Sequence, residues 1–580
     1  MARQLNQMQD WARETRLTHG RIVVLTVLML MVMAGLLYRY FYLQIIQNET
    51  FRAQSDRNRI AVRAVAPTRG VMVDREGRLV AENLPSFTLA LTPERIADLD
   101  NTLDALSELL ALTPDDVALF SETRKRTRPL SPVPLKYRLS ESERALLAVN
   151  KHRFEGVSIL SELTRHYPEG PLLGHALGYV GRIGKDDIAP ADTQQYRGIT
   201  HIGKVGLEAY YERWLRGELG VSRIEMNARG VELGVVDRIE PTPGSQLTLH
   251  LDVALQRIAA EALGDMRGAV VAIDTRSGGV LAAFSNPGYD PNKFVNGISF
   301  GDYALLRDSR DAPLLNRVIQ GQYPPASTIK PMLGLAGLNR GVIDVDTLVA
   351  DPGYYTLPGD DRRYRDWILR IRGTGHADFM NLRESIAQSC DVYFYELANR
   401  LGIDALSDSL YEFGIGSLTG VDLPSEKRGI LPSAQWKREA IGSSWYGGET
   451  LIVGIGQGYM LATPLQLAVA TSAVAMRGTA YKPQLVASIA GEAVIPEPLL
   501  SVSAPTEYWD EIVAGMVDTV FAPRGTAAGM RRGLDYTVAG KTGTAQVVGI
   551  AQDATYDEGS LSEYQRNHGW FIAFAPAESP

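Results

Sequence analysis

Ser327-Thr328-Ile329-Lys330, Ser389-Cys390-Asp391 and Lys541-Thr542-Gly543-Thr544 follow one another in this order along the chain. A serine three residues ahead of a lysine puts hydroxyl and amine on one helical face. The lysine, desolvated and close to other cations, can lose its proton near neutral pH and act as base for the serine. Ser327 at a helix start also lies in the partial positive charge that favours an oxyanion. Ser389 and Asp391 fall at a tight link between a helix ending near Gln388 and one beginning near Val392, placed to relay protons. The run VAGKTGTAQVVG is small and β-branched, so Lys541 to Thr544 are expected on a strand. There Gly540 and Gly543 admit a substrate to the backbone, Lys541 offers a cation, and Thr542 and Thr544 offer hydroxyls. Read singly, the first two motifs also suit helix capping, and Ser-x-x-Lys arises by chance about once in a chain this long. Together they supply nucleophile, base and anion cradle for attack on an amide.

Upstream, GAVVAIDTRSGGVLAAFSNP has the pattern of a β-hairpin turning around Arg276, Ser277 and Gly278, and TLHLDVALQRIAAEAL that of a strand leading into an amphipathic helix. Pro241, Pro243 and Gly244 punctuate the chain before them, so the main boundary is placed at residue 245. Residues 246–580 form the catalytic domain in this reading. Residues 44–245 mix β-like runs (VMVDREGRLVAEN, FTLALT) with helical ones from Asp98 to Leu110 and Ser140 to Val149, with LSPVPL expected as loop. They carry no catalytic spacing and are expected to be an α+β pedestal.

Ile22 to Tyr38 contain no charge, and the apolar character runs on past Arg39 to Leu43. Residues 21–43 are therefore expected to cross a bilayer as one helix, with Arg39 snorkelling. Arg3, Arg13, Arg16 and Arg21 precede the span, which places tail 1–20 in the cytoplasm and the rest outside. A cleaved signal peptide would end in small residues, whereas YRYFYLQIIQ is bulky and aromatic. The chain has 580 residues, 45% of them hydrophobic, enough for more than one domain. Its net charge of -8 argues against nucleic acid as a partner. Cys390 is the single cysteine, so no disulfide framework exists.

The motif trio is the set associated with penicillin-binding proteins and serine β-lactamases. The likeness extends further: APTRGVMVDREGRLVAEN (Ala66 to Asn83), RHYPEG (Arg165 to Gly170), HIGKVGLEAYYERWLRGELG (His201 to Gly220) and GIGQGYMLATPLQLA (Gly454 to Ala468) resemble the class B transpeptidases. DPGYYTLPGDDRRYRDW (Asp351 to Trp367) and the aspartate at 391 are similar to the penicillin-binding protein 2 branch, which serves cell elongation in rod-shaped Gram-negative bacteria. The resemblance implies an α+β chain with an inner-membrane anchor, a pedestal of the dimerisation type and a periplasmic transpeptidase domain of helices around a five-stranded antiparallel sheet. Relatives normally continue with another strand and a helix where this sequence stops at Pro580, so an edge strand is expected to be missing.

The resemblance also implies roles. Ser327 attacks the penultimate D-alanine carbonyl of a peptidoglycan stem peptide, Lys330 takes its proton, Ser389 passes a proton to the departing amine, and Asp391 orients the network. Lys541, Thr542 and Thr544 hold the substrate carboxylate, and the amides of Ser327 and Thr544 form the oxyanion hole. β-Lactams would acylate the same serine. Expected partners are a SEDS-family glycosyltransferase and other membrane proteins of the elongation complex. Asp351, Asp366, His376 and Cys390 gather donors that suit a four-coordinate structural zinc, as some relatives carry; the alternative is that Cys390 is a small buried core residue. No organic cofactor is implied. A β-lactamase would lack anchor and pedestal, the long N-terminal resemblance opposes a D,D-carboxypeptidase, and a scaffold acting on a glycan polymerase is a further alternative.

Overall fold

The structure is a computed structural model that describes residues 11–49, 60–127, 129–184, 186–226, 232–548 and 558–580. Arg3 and the first half of the 1–20 tail lie outside the described residues. Helix α1 spans Trp11–Phe41. Within Leu17–Ile46 the apolar 18-residue stretch has mean hydropathy 2.3 and is unburied, so by length and composition this helix suits a single membrane crossing.

The chain divides into two compact units. The first comprises Met1–Ala66, Gln195–Gly198 and Glu218–Thr242. Its strand Ile60–Val65 pairs antiparallel with Gly220–Met226, which pairs on its other side with Glu232–Ile239.

The second unit comprises Pro67–Gln194, Ile199–Gly217 and Pro243–Pro580. It opens with β1 (Met72–Val73) and the long β2 (Leu79–Leu91), followed by α2 (Leu99–Leu110). Asp98 ends the preceding loop by accepting from the Asn101 N–H, a helix N-cap. Strand β3 (Val133–Lys136) begins within LSPVPL, where a loop was expected. Val133 and Leu135 turn inward in alternation, and Pro134 is tolerated because β3 is the edge of its sheet. Helix α3 (Glu141–Asn150) carries a capping box at Ser140 and Glu143, and β4 (Val157–His166) pairs with β2 along ten residues.

Strand β5 (Leu247–Leu249) runs parallel to β1 and leads into α4 (Val253–Leu263). The hairpin β6 (Gly268–Ile273) and β7 (Val280–Asn286) follows as read from sequence. Helices α5 (Lys330–Asn339), α6 (Trp367–Arg372), α7 (Leu382–Gln388), α8 (Asp391–Leu401) and α9 (Pro464–Ala475) build the catalytic half. Strand β8 (Val486–Ile489), helix α10 (Thr506–Phe521) and the pair β9 (Ala539–Ala545) and β10 (His568–Phe574) complete it. One sheet spans both halves of this unit, because β5 joins β1 on one side and β8 on the other. Helices α5 and α9 are apolar almost all round and accordingly buried, together with α7, α8 and α10, in the largest core cluster.

The five-stranded sheet implied by the resemblance is recorded differently. Among the described residues the strands pair as two separate antiparallel hairpins, β6 with β7 and β9 with β10, both packed on α9. No described strand hydrogen-bonds to both, so the ladder is not continuous across them.

Three of the resembling segments meet inside this unit. Arg165 donates through Nε to Glu208 Oε1 at 2.6 Å, and Arg69 pairs with Glu208 Oε2 at 2.6 Å and Glu212 Oε2 at 2.7 Å. Tyr167 donates to Glu208 Oε1 at 3.1 Å. Glu208 is fully buried, yet the two guanidiniums outweigh the burial penalty and hold its carboxyl below the usual range. Nearby, Tyr211 donates to Asp422 at 2.9 Å, and Asp422 accepts the N–H groups of Leu485 and Val486 at the start of β8.

Candidate active site

Ser327 lies in a 3-10 turn, Ala326–Ile329, that feeds directly into α5. Sequence alone predicts one helix from Ser327; the tighter turn has three residues per revolution, so Ser327 and Lys330 still share a side. Ala326 takes φ +53, an uncommon angle for a residue with a Cβ. Ser327 is half-buried, whereas Lys330 is fully buried at the first turn of α5.

The second motif closes on that lysine. Lys330 Nζ lies 2.7 Å from Asp391 Oδ1, 3.0 Å from the Ser389 carbonyl and 3.4 Å from Ser389 Oγ. Its ammonium also sits 5.2 Å from the centre of the Phe394 ring. Ser389 adopts φ +58 between α7 and α8, which aims its carbonyl at Lys330 and at the Trp367 indole N–H 3.2 Å away.

The third motif lies on β9, paired residue by residue with β10. Lys541 is fully buried and bends back to donate to the Thr542 carbonyl at 2.9 Å. Burial first, and the Lys330 charge second, push Lys541 well below the ordinary lysine range, with Asp391 opposing. Thr542 Oγ1 is 2.7 Å from Thr526 Oγ1, and Thr544 is exposed. A Cβ placed on Gly543 would stand 3.0 Å from Thr328 Cγ2 and 3.3 Å from the Pro325 carbonyl, so β9 runs hard against the turn that carries Ser327.

Behind the second motif, Asp351, Asp366, His376 and Cys390 are all buried, with one donor atom of each within 4.8 Å of the others. His376 Nδ1 is 3.0 Å from Asp351 Oδ2 and 3.7 Å from Asp366 Oδ2, and Cys390 Sγ is 3.6 Å from Asp351 Oδ2. His376 Nε2 is buried without a hydrogen-bond partner. Gly375 lets the chain return here, since a Cβ would meet the Asp351 carbonyl at 1.9 Å. Asp366 caps two helices at once: Oδ1 accepts from the Ile368 N–H in α6, and Oδ2 from the Asp391 and Val392 N–H groups in α8. Burial, reinforced by Asp391, pushes Asp366 up to about 6, and burial drives the Cys390 thiol well above its ordinary value. Asp351 is held below its ordinary value despite burial, by His376 and two backbone N–H groups.

The three motifs thus come together, Ser389 and Asp391 on Lys330 and the Gly543 strand against the turn that carries Ser327, and the four candidate ligands gather directly behind Ser389 and Asp391. Residues that sequence reasoning gave no role include Trp367, Phe394, Thr526 and Gln457; Gln457 reaches the Thr544 carbonyl at 3.1 Å. A glycine on each side of Gln457 was the available signal.

A half-buried serine beside a buried lysine, with a hydroxyl and carboxylate on that lysine and a β-strand edge opposite, defines a serine acyl-transfer enzyme. Residues 268–580 match the family described as penicillin binding protein transpeptidase domain, and residues 64–249 the penicillin-binding protein dimerisation domain. The peptidoglycan D,D-transpeptidase MrdA of Acinetobacter baumannii is 42% identical over 99% of this chain and 85% of its own length. A crystal structure of Pseudomonas aeruginosa PBP2 in complex with WCK 5153 is 36% identical, covering 90% of each chain with TM-score 0.68. Helicobacter pylori PBP2 in complex with MreC is 30% identical, covering 90% of this chain and 93% of that one with TM-score 0.76. The chain belongs to the class B penicillin-binding proteins and, within them, to the peptidoglycan D,D-transpeptidases of the penicillin-binding protein 2 branch.

Proposed function

We propose that Ser327 is the nucleophile with which this chain cross-links peptidoglycan stem peptides during cell elongation. The observation that carries the assignment is the convergence of Asp391 and Ser389 on the buried Lys330 Nζ, one turn from Ser327 and across from the Lys541 strand. Lys330 accepts the Ser327 proton as Oγ bonds to the penultimate D-alanine carbonyl. The bond to the terminal D-alanine nitrogen breaks, and that amine takes its proton through Ser389. Thr542, Gly543 and Thr544 present the strand edge on which the substrate lies, and the amides of Ser327 and Thr544 stabilise the oxyanion. Lys541, Thr542 and Thr544 bind the substrate carboxylate; the anion restores the charge on Lys541 that burial opposes. An amine from a second stem peptide then releases the acyl group, and β-lactams acylate Ser327 in place of substrate.

The four buried ligands suit a structural zinc. Two carboxylates and a thiol repel one another when ionised in a dry site, and His376 holds a ring nitrogen with no other partner. When bound, the ion would supply charge neutralisation and rigidity. The residues themselves brace the second motif, because Asp366 grips the Asp391 amide and Cys390 lies inside it. Metal analysis should find about one zinc per chain, with less in Cys390→Ser; equal content in both would refute the site.

Helix α1 anchors the chain in the inner membrane, with the N-terminus cytoplasmic, residues 44–245 as a periplasmic pedestal and residues 246–580 as the transpeptidase domain. The H. pylori complex of PBP2 with MreC supports a MreC-like partner for this chain, for which the pedestal is the contact surface, with a SEDS-family glycosyltransferase as a further partner. In a reconstituted cross-linking assay, Ser327→Ala should abolish cross-links and D-alanine release while leaving polymerase stimulation intact. Undiminished cross-linking would overturn the assignment.

A further inference from the structure

Between α8 and α9 the chain passes through Gly456-Gln457-Gly458, a segment with contacts to both sides of the reaction centre. On one side, the Gly456 carbonyl accepts the Ala326 N–H at 2.8 Å, immediately before Ser327. Gly456 takes φ +72, and a Cβ there would lie 2.1 Å from the Ala326 carbonyl, so only glycine allows this approach. On the other side, Gln457 Nε2 donates to the Thr544 carbonyl at 3.1 Å, and Gln457 Oε1 accepts the Gln546 N–H at 3.1 Å. One side chain therefore pairs with β9 as a neighbouring strand would.

Its position fixes the geometry of the strand edge. In a β-strand the N–H and C=O of one residue point to the same edge. The Thr544 carbonyl is directed at Gln457, so the Thr544 N–H also points to that edge, away from β10. The Thr542 carbonyl, two residues earlier, lies on the same edge and accepts from Lys541 Nζ.

We infer that Gly456-Gln457 is a clip that sets the separation of the two oxyanion amides, with Gln457 the positioning residue for the Thr544 N–H. The Gly456 carbonyl fixes the Ser327 turn, and the adjacent Gln457 carboxamide fixes the end of β9. The same carboxamide occupies the edge from Thr544 to Gln546, so a substrate strand pairing at Thr542 ends where Gln457 begins. This inference rests on the assignment of Ser327 and Thr544 made above.

The test is acylation of the purified full-length protein by a fluorescent penicillin, separating the pre-acylation dissociation constant from the acylation rate constant. The carbonyl stretch of the acyl-enzyme is read by difference infrared spectroscopy. Gln457→Ala is expected to slow acylation about 10- to 100-fold, the scale of a loosened oxyanion donor, with little change in initial affinity. Its ester carbonyl band should move to higher wavenumber, because a weaker hydrogen bond polarises the carbonyl less. Gln457→Glu keeps the size and the acceptor for Gln546 but has no donor for Thr544, and should show the same two changes. It is read in place of Gln457→Ala if the smaller side chain prevents folding. Asn339→Ala removes a side-chain bond to the Ser503 carbonyl, away from the cleft, and should leave both readouts at the parent value. An unchanged rate and band in the Gln457 variants would overturn the clip, as would a fall in affinity equal to the fall in rate. A parent protein that carries no adduct on Ser327 would instead overturn the underlying assignment.

Discussion

The buried charge cluster around Glu208 and the one around Lys330, both in the second unit, differ in which basic groups they use. In the cluster of Arg69, Arg165 and Glu208, both cations are guanidiniums that stay charged and bond the carboxylate in a fixed fork. Around Ser327 the basic groups are amines: Lys330 is held by one carboxylate, Asp391, and Lys541 is pushed by burial towards its neutral form. An ammonium can hand on a proton in a reaction, which a guanidinium cannot. The first arrangement holds backbone segments together, and the second holds a proton in transit.

Exchanging the cation is the sharpest way to break that contrast. Lys330→Arg keeps a positive charge for Asp391 but removes the base, so penicillin acylation should fall about 10³-fold while Tm stays near the parent value. A variant that acylates at the parent rate would mean that Lys330 does not take the serine proton. Removing the anion from the other cluster acts on stability. Glu208→Ala leaves two buried guanidiniums without their carboxylate and should cost about 3–5 kcal/mol in denaturant unfolding. Arg165→Lys, measured the same way, should lose about 1–3 kcal/mol with acylation unchanged, because only the fork geometry is lost.

A smaller effect concerns protons. His175 is buried, donates from Nε2 to the Pro313 carbonyl 2.9 Å away, and is pushed down to about 4 by burial. Its folded pKa lies below the unfolded value near 6.5, so the unfolded chain takes up the proton first as pH falls. Stability is full above about pH 6.5 and declines towards pH 4, by roughly 3 kcal/mol in total. Tm measured across that window should decline less steeply for His175→Gln than for the parent; equal slopes would remove His175 as the cause.

Much of the site was legible because its groups sit close together in sequence. Ser327 and Lys330 are one turn apart, Ser389 and Asp391 flank a break between helices, and the Lys541 strand shows its β-branched and small residues directly. The helical pattern also placed α2 and α3 within a residue. What escaped depends on distant partners. Arg69 and Glu208 are 139 positions apart, and Gln457 and Thr544 are 87, so no local pattern announces either contact. The strand that begins within LSPVPL was hidden by prolines whose cost vanishes only at a sheet edge, a property of the assembled sheet. The burial of Lys541 was likewise invisible, since a lysine on an alternating strand gives no sign of what covers it.

In the proposed mechanism Ser327 is the group that becomes acylated. The most direct measurement is peptide mapping by mass spectrometry after labelling the full-length protein with penicillin. One penicilloyl adduct is expected, on the peptide containing Ser327, and none in Ser327→Ala. An adduct on another residue, or labelling that persists in Ser327→Ala, would contradict that mechanism.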